Sequence, residues 1–422
     1  MKHTETELKL QVTDPAIWDN IMVVPLLQQM AEPNSLKKQL LEARYFDTAQ
    51  HNLQQAALTY RVRREGEQWV ATVKGGGSSN GGLHRRQEWN VVVAGPEPDS
   101  DVFRDTAVGA KLQELIGEEE LEPLFITRFT RYTLQIRTPD GSQVEVAADR
   151  GEIIVGTLSA PILELELELK DGQPTALLTL GAQLAREFPL LLETRSKFYR
   201  GLQLAGLAGE PADAAAVRYH IAGNIVAKEA VSGLLIESIH TLLAAQDRFL
   251  QQPAEPDNLH QLRVMLRRLR SLLSFVRPLI AAQQYSRYQE ALRQWGQTMG
   301  PLRELDVLIA ECYVIAANQK TASKGRLTVA NSLTVQRQEA LQLLITSLGA
   351  GQSTALLLEI WAWLAENPMQ AVPQADLTLR AFSRQRLGGW LKNLLKQGKQ
   401  LDITQEQELH QLRIRGKKLR YG

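Results

Sequence analysis

The chain has 422 residues, of which 44% are hydrophobic and 23% charged, and it contains one cysteine, Cys312. This composition is typical of a globular protein of two or three domains and argues against intrinsic disorder. The lone cysteine excludes an internal disulfide framework and a cysteine-based zinc site. Because we find no charge-free apolar run of about 18 residues and no signal peptide, we expect a cytoplasmic protein without a membrane partner.

Charge is distributed unevenly along the chain. Residues 1–210 contain 22 lysines and arginines against 30 aspartates and glutamates, a net charge of −8. Residues 211–422 contain 26 against 17, a net charge of +9. Such asymmetry indicates that the two halves have different tasks. We expect the basic half to bind a polyanion and the acidic half to repel one unless cations intervene.

The first half consists of short segments in which apolar and polar residues alternate, as they do in β-strands. Two helical stretches interrupt the strands, one beginning near Pro15 and one over residues 175–187. Turn sequences such as Pro-Asp-Gly at 139–141 separate them, so the pattern predicts a closed antiparallel sheet with a few helices. The predicted strands cover residues 5–12, 58–64, 68–74, 85–93, 130–138, 143–149 and 162–170.

Residues 206–217, rich in glycine, alanine and proline, predict a linker. Beyond it, apolar residues recur at three- and four-residue spacing, which is typical of helices. We therefore predict one domain over residues 1–205 and an all-helical domain over residues 218–422. The predicted helical runs cover residues 219–251, 257–281, 283–317, 331–348, 352–366, 376–398 and 404–421.

Carboxylates gather on one face of several predicted strands. In Glu5-Thr-Glu7-Leu-Lys9, alternate residues point to the same side of the strand. The run Leu-Glu-Leu-Glu-Leu-Glu-Leu at 163–169 repeats the pattern, and such a row is costly unless a cation compensates the repulsion. Carboxylate oxygens suit Mg²⁺ or Mn²⁺ better than zinc. The candidate metal ligands are Glu5, Glu7, Asp149, Glu164, Glu166 and Glu168.

Basic residues alternate along other strands in the same way. Arg61 and Arg63 share a face, and Lys74 ends the next strand. If the sheet closes, these cations meet the carboxylates inside it, an interior that suits a metal-bound polyphosphate. Salt bridges on the outer surface would explain each charged pair, but they account poorly for the same pattern on so many strands. We expect His84 to lie at the surface. The candidate phosphate-binding residues are Lys9, Arg61, Arg63, Lys74, Arg86, Arg131, Lys197 and Arg200.

Taken in order, these motifs resemble the CYTH family, also called the triphosphate tunnel metalloenzymes. The resemblance covers residues 1–205 and implies an eight-stranded antiparallel tunnel that hydrolyses or cyclises triphosphates with a divalent metal. The motifs are Glu5-x-Glu7-x-Lys9, Arg61-x-Arg63, Lys74, Arg86-x-Glu88, Glu164-x-Glu166-x-Glu168 and Ser196-Lys197-Phe-Tyr-Arg200-Gly201.

A basic motif occurs twice in the helical half. His260-Gln-Leu-Arg263 returns 150 residues later as His410-Gln-Leu-Arg413, and the cations that follow keep the same offset. These positions lie on one helix face, where like charges oppose folding, so we expect an anionic ligand rather than a merely solvated surface. The candidate residues are His260, Arg263, Arg267, Arg270, His410, Arg413, Lys417 and Arg420.

Together with Arg303 and Asp306 in Met-Gly-Pro-Leu-Arg-Glu-Leu-Asp at 299–306, this repeat resembles the CHAD domain, the conserved histidine α-helical domain. The resemblance implies two helical-bundle repeats around a basic channel that binds inorganic polyphosphate. Family members usually continue beyond the second motif, so two alternatives stay open: the second repeat lacks its closing helix, or the sequence is truncated there. The expected fold class is α+β, with an eight-stranded tunnel and flanking helices followed by an all-α domain.

A CYTH domain followed by a CHAD domain resembles the bacterial two-domain inorganic triphosphatases. This resemblance implies metal-dependent hydrolysis of inorganic triphosphate to pyrophosphate and phosphate, with Glu5, Glu7 and Lys9 as catalytic residues. Two alternatives stay open: class IV adenylate cyclase or thiamine triphosphatase activity in the same tunnel, and a non-catalytic polyphosphate-binding protein. The sequence shows no recognisable adenine or thiamine pocket, and we do not expect a nucleic acid as a partner.

Overall fold

The computed structural model describes residues 4–208, 222–318, 323–366, 369, 372–401 and 405–421, without the side chains of 78–80, 316–318, 323–327, 418, 420 and 421. The chain divides into two compact units. The first, called the barrel unit below, comprises Met1–Asp213 and Gly349–Leu358, and the second, the helical unit, comprises Ala214–Leu348 and Glu359–Gly422. The predicted linker lies outside the described residues from 209 onward.

Nine antiparallel strands form a single sheet in the barrel unit. They are β1 (Thr4–Val12), β2 (Lys37–Asp47), β3 (Leu58–Glu65), β4 (Gln68–Asn80), β5 (Leu83–Val93), β6 (Glu122–Arg137), β7 (Gln143–Val155), β8 (Leu158–Asp171) and β9 (Leu190–Leu192). Their order is β5-β4-β3-β2-β6-β7-β8-β1-β9, and β5 pairs with β1 as well. This last pairing closes the first eight into a barrel, which confirms the predicted fold of this half.

Six short helices flank the barrel: α1 (Trp18–Ile21), α2 (Pro25–Gln28), α3 (Asn52–Gln55), α4 (Gly109–Ile116), α5 (Pro174–Glu187) and α6 (Lys197–Leu204). Helix α5 packs on β1 and β8, whose outward-facing Leu8, Leu10, Leu165 and Leu167 are fully buried. At Gly181 of α5, a Cβ atom would come within 2.6 Å of Leu8 Cδ2, so a larger residue there would require the Leu8 side chain to shift.

The main apolar clusters of the barrel unit leave a polar space inside the barrel. Outward-facing residues of β3 and β4, including Tyr60 and Val73, pack with Leu112 of α4. A second cluster, with Phe125 and Leu202, joins inward-facing residues at one end of the barrel to α6. Helix α6 therefore closes that end with apolar side chains, and charged residues line the remaining interior.

Strand β2 was missed by the sequence analysis because its alternation is interrupted. Leu40 and Leu41 are adjacent, as are Tyr45 and Phe46, and the pairing of β2 with β6 shifts register between Tyr45 and Phe46. A β-bulge of this kind turns consecutive side chains away from strict alternation. Helices α4 and α6, each eight residues long, were also not predicted.

Within the described part of residues 222–421, eight further helices follow, as the helical periodicity predicted. They are α7 (Ala227–Gln251), α8 (Pro256–Phe275), α9 (Ala282–Thr298), α10 (Gly300–Asn318), α11 (Ser323–Gly349), α12 (Gln352–Ala365), α13 (Leu379–Gln400) and α14 (Glu406–Tyr421). The predicted run 283–317 is two helices rather than one. Of the described residues, no single helix is long and apolar enough to cross a membrane, although the bent pair Thr328–Gly349 and Gln352–Ala365 passes that test together by length and composition.

Candidate functional site

The barrel encloses a cavity of about 280 Å³ whose lining is mainly charged. The cationic lining residues are Lys9, Arg61, Arg63, Lys74, Arg86, Arg131, Lys170 and Lys197. The carboxylate lining residues are Glu5, Glu7, Glu88, Glu145, Glu166 and Glu168. Seven of the eight predicted phosphate-binding residues thus share one cavity, and Arg200 lies outside its lining.

Strand register brings these side chains together. On β1, Lys9 lies opposite Glu166 of β8, and Glu5 lies opposite Arg86 of β5. On β7, Asp149 lies opposite Glu164 of β8 on one side and opposite Arg131 of β6 on the other. Because alternate residues of a strand share one face, inward-facing polar residues meet inward-facing polar residues all around the barrel.

Asp149, Glu164 and Glu166 form a compact acidic group, called the acidic triad below. Each offers a carboxylate oxygen, and these oxygens lie within 4.8 Å of one another. All three residues are buried, with Asp149 fully inaccessible. Hard oxygen donors at this spacing fit Mg²⁺ or Mn²⁺. Three of the six predicted metal ligands therefore converge, whereas Glu5, Glu7 and Glu168 line the cavity separately.

Buried cations neutralise the acidic triad. Arg131 donates to both carboxylate oxygens of Asp149, over 2.7 and 2.6 Å, and to Glu166 over 2.5 Å. Lys197 Nζ lies 2.7 Å from Asp149 Oδ2 and 3.0 Å from Glu166 Oε1, and it also contacts Glu164. Lys9 bonds to Glu166 and lies 3.1 Å from Glu7. The triad is thus held in place by oppositely charged side chains.

These contacts shift the pKa values of the triad in different directions. Burial raises the pKa of Glu164. Against the same desolvation, Lys197, Lys9 and Arg131 hold the pKa of Glu166 well below its usual range, and Arg131 and Lys197 lower that of Asp149. Glu166 and Asp149 are therefore carboxylates near neutral pH, as metal binding requires.

A second ionic cluster lies on β1, β4 and β5. Lys74 Nζ is 2.6 Å from Glu5 Oε2 and 3.0 Å from Glu88 Oε2. Burial raises the pKa of Glu5 to about 7, although Lys74 opposes the shift. Against desolvation, Lys74 and Arg61 lower the pKa of Glu88. Glu5 and Glu88 thus lie on one cavity wall with pKa values shifted in opposite directions.

Arg61 and Arg63 lie on the wall formed by β3. Arg61 Nη2 is 3.8 Å from Glu88 Oε1, and Arg63 Nε donates to Glu65 Oε1 over 2.7 Å. Arg63 also lines a neighbouring cavity of about 390 Å³, which shares Arg131 and Glu145 with the first. Because β3 alternates, Arg64 faces outward and is exposed.

Several cavity residues had received no role from the sequence. Glu88 follows Arg86 by two positions, Glu145 precedes Asp149 by four, and Lys170 continues the alternation that ends at Glu168. That spacing was the available signal for all three. His84, expected at the surface, is 1% exposed: it faces Glu7 across the pair of β5 with β1, where the closed barrel covers it.

Three aromatic residues also line the cavity; Phe198 stays partly exposed, and other groups lie against the rings of Tyr45 and Phe129. Tyr45 stacks on Phe125 at 4.6 Å, and Phe198 lies 5.7 Å from Tyr45. Lys197 and Arg131 lie over the ring of Phe129, at 5.1 and 5.6 Å from its centroid. These rings complete the packing around α6 rather than form an open platform.

In the helical unit, the two copies of the basic motif approach each other. His260 on α8 has Arg267 and Arg303 as charged neighbours, and Lys417 on α14 has Arg413 and Arg267. Helix α14 packs against α8 and α13. Leucines on one face of α8, among them Leu259, Leu262 and Leu266, are buried, whereas its basic residues stay partly exposed. The two motifs thus contribute to one basic surface.

The other predicted residues of this surface have different surroundings. Arg270 lies near Arg293, Tyr285 and Glu290 rather than beside the second motif. His410 is exposed, and the side chain of Arg420 lies outside the described residues. Asp306, from the Arg–Asp sequence, is buried and accepts a hydrogen bond of 2.7 Å from Arg337 Nε. Asp306 therefore anchors α11 to α10.

Comparison with known proteins assigns each half of the chain. A protein named inorganic triphosphatase from Haemophilus influenzae is 32% identical over 207 residues, which are 47% of this chain and 54% of that protein. The chain thus spans about half the length of this relative. A solved CHAD domain from the plant Ricinus communis is 24% identical over 48% of this chain and 66% of its own, with a TM-score of 0.41.

A putative adenylyl cyclase from Hippeastrum, described as having a dominant triphosphatase activity, is 18% identical over 47% of this chain and 95% of its own, with a TM-score of 0.36. Residues 3–202 match the CYTH domain family and residues 233–422 match the CHAD domain family. The chain therefore carries a CYTH domain, related to inorganic triphosphatase, followed by a CHAD domain.

Proposed function

We propose that the barrel unit hydrolyses inorganic triphosphate to pyrophosphate and phosphate, and that the helical unit binds inorganic polyphosphate. The observation that carries the first part is the cavity lining, with eight cationic and six carboxylate side chains around one space. Such a lining can neutralise a small, highly charged anion and hold a divalent metal beside it.

Cations and carboxylates have separate tasks in this proposal. Arg61, Arg63, Lys74 and Arg86 grip phosphate oxygens, with arginine suited to bidentate contacts. Lys9 and Arg131 line the same cavity and contact the acidic triad. A bound Mg²⁺ or Mn²⁺ would be held by the triad, with Glu5, Glu7 and Glu168 as further candidates, and would supply positive charge against the phosphate oxygens.

The covered rings of Tyr45 and Phe129 favour an inorganic substrate over a nucleotide or thiamine triphosphate. A base needs an exposed ring face or an apolar slot to stack on. Among the described cavity residues, Tyr45 and Phe129 present their faces to Phe125, Lys197 and Arg131 instead. Adenylate cyclase and thiamine triphosphatase activities therefore have less support than hydrolysis of inorganic triphosphate.

A phosphate-release assay tests this proposal. It compares triphosphate, ATP, thiamine triphosphate and long-chain polyphosphate, each with Mg²⁺, Mn²⁺ or EDTA. We expect the highest kcat/KM with inorganic triphosphate and no turnover in EDTA. A preference for ATP or thiamine triphosphate would favour the alternative enzymes, and no release from any substrate would favour a non-catalytic binding protein.

The basic surface of the helical unit supports polyphosphate binding. Arg263, Arg267 and Lys417 lie close enough to interact electrostatically, which is costly unless an anion screens them. A flexible chain of phosphates can cover such a surface at several points. The cytoplasmic location expected from the sequence stays a prediction.

A further inference from the structure

Lys197 occupies the position among the acidic triad that a divalent ion would need. Its Nζ atom contacts all three carboxylates: Asp149, Glu164 and Glu166. The side chain is only 8% exposed, so water contributes little to holding it there. One ammonium group thus contacts a carboxylate oxygen of every residue in the candidate metal site.

An ammonium group and a divalent ion cannot share these oxygens. Oxygen ligands lie about 2.0–2.6 Å from divalent ions between Mg²⁺ and Ca²⁺ in size. An ion bound by the triad would therefore lie within a few ångströms of Lys197 Nζ. At that separation two cations in a buried site repel strongly. Binding of the ion therefore requires Lys197 Nζ to leave.

The lysine side chain can leave while its helix stays. Helix α6 is fixed by Leu202, which is buried in the core, and by Gly201, where a Cβ atom would lie 2.2 Å from Phe125. Ser196 caps the helix by accepting from the Tyr199 amide over 3.1 Å. Lys197 itself also lines the cavity, so rotation about its flexible stem carries Nζ from the triad toward the phosphate site.

The two arginines that contact the triad are held more firmly than Lys197. Arg131 binds Asp149 through two hydrogen bonds and Glu166 through a third. Arg200 Nη1 donates to Glu164 over 3.1 Å, and its Nη2 donates to the carbonyl oxygen of Pro161. Planar guanidinium groups with several directed bonds lose more on leaving than a single ammonium group does.

We propose that Lys197 is an internal counter-ion that competes with the divalent metal for the acidic triad. Metal binding displaces Nζ into the cavity, where it becomes available to a phosphate group. Lys197 thereby couples the two ligands: the metal releases the cation that the substrate uses. This inference rests on the proposed function for the identity of the ligands, but its first prediction concerns metal binding alone.

Isothermal titration of the full-length protein with Mn²⁺, without any phosphate compound, tests the competition. Lys197→Met removes the charge and keeps an unbranched chain, so we expect Mn²⁺ to bind about 5–150-fold more tightly than in the wild type, the usual range of coupling between sites. Lys170→Met tests an alternative metal site, because Lys170 contacts Glu145 and Glu168 rather than the triad. Lys111→Met is the matched control, because Lys111 is exposed on α4 and lies outside the cavity lining. It should leave the Mn²⁺ affinity unchanged.

A second variant covers the case in which Lys197→Met does not fold with its triad unpaired. Lys197→Arg keeps the charge and offers directed bonds to the same carboxylates, so it should weaken Mn²⁺ binding relative to the wild type. Unchanged or weaker binding in folded Lys197→Met, or unchanged or tighter binding in Lys197→Arg, would overturn the inference. A larger increase in Mn²⁺ affinity in Lys170→Met than in Lys197→Met would overturn it too, because it would assign the metal to Glu145 and Glu168.

The same variants separate this inference from the proposed function. If Lys197→Met binds Mn²⁺ more tightly but the wild type hydrolyses no triphosphate, the competition stands and the proposed activity fails. If the wild type hydrolyses triphosphate while both Lys197 variants bind Mn²⁺ as the wild type does, the activity stands and the competition fails.

Discussion

Cations in the two units have opposite surroundings. In the barrel unit, Lys9, Arg131 and Lys197 each contact at least two carboxylates, which raise their pKa values against the desolvation that burial imposes. In the helical unit, burial and neighbouring cations lower the pKa values of Arg263 and Lys417. The barrel cations are neutralised by carboxylates of the protein, whereas these cations of the helical unit have mainly other cations as charged neighbours.

This difference separates two ways of binding phosphate. In the barrel, carboxylates already pair with the cations, so a small anion must replace carboxylates as the partner of these cations. A divalent metal can bind the carboxylates that are released. The basic surface of the helical unit instead gains stability from any polyanion that supplies negative charge. We therefore expect turnover to depend on the barrel and salt-sensitive binding to depend on the helical unit.

The largest expected effect is on turnover when the acidic triad is changed. Glu166→Gln removes the carboxylate shared by Lys9, Arg131 and Lys197, and we expect kcat for triphosphate to fall at least ~100-fold. Phosphate release measures the effect, and circular dichroism checks the fold. Glu42→Gln, on the outside of β2 beside Arg128, is the matched control and should keep normal rates. Near-normal turnover of Glu166→Gln at saturating metal would remove Glu166 from the site.

A smaller effect is expected when a candidate phosphate-binding arginine of the cavity wall is replaced. Arg61→Ala should lower kcat/KM for triphosphate by roughly 10–100-fold, because it removes a charged hydrogen-bond donor from the cavity wall. Arg64→Ala provides the comparison, since Arg64 follows three positions later on the same strand but faces outward. Equal kinetics of the two variants would mean that the inner wall of β3 does not touch the substrate.

The third prediction tests whether the two units work separately. Replacing Arg263, Arg267, Arg413 and Lys417 with alanine should weaken binding of long-chain polyphosphate roughly tenfold or more and flatten its dependence on salt, since fewer counter-ions are exchanged. Fluorescence anisotropy with labelled polyphosphate at several salt concentrations measures both effects. Triphosphate hydrolysis should hardly change. If the folded variant lost hydrolysis, the basic surface would have to contribute to the active site.

The smallest effect concerns the acid stability of the helical unit. His240 is partly buried and packs in a T-shaped contact with Trp361, with ring centroids 4.7 Å apart, and burial lowers its pKa although Glu237 opposes the shift. A depressed histidine pKa contributes stability above the unfolded-state value of about 6.5, and this stability is lost as pH falls below it. His240→Phe keeps a ring there without titrating, so its melting temperature should fall less than that of the wild type between pH 7.5 and about pH 5. Parallel pH curves would contradict this account.

Alternation and repetition predicted much of this molecule from sequence. The rows Glu5 to Lys9 and Glu164 to Glu168 indicated strand faces carrying charge, and the 150-residue repeat indicated two matched basic helices. These signals are local because a strand repeats every two residues and a helix about every 3.6. For the same reason, the bulged strand β2 and the short helix α6 escaped detection.

Sequence by itself determined which residue types line the barrel, because the alternating pattern places charge on one face and leucine on the other. It could not decide which carboxylates converge. Glu5, Glu7 and Glu168 have the same local pattern as Glu164 and Glu166, yet the metal-capable group consists of Glu164, Glu166 and Asp149. That choice depends on the register between β7 and β8 and on α6, which brings Lys197 to the triad from a distant part of the chain. Register and helix docking are set by packing across the whole barrel, so only the tertiary structure decided them.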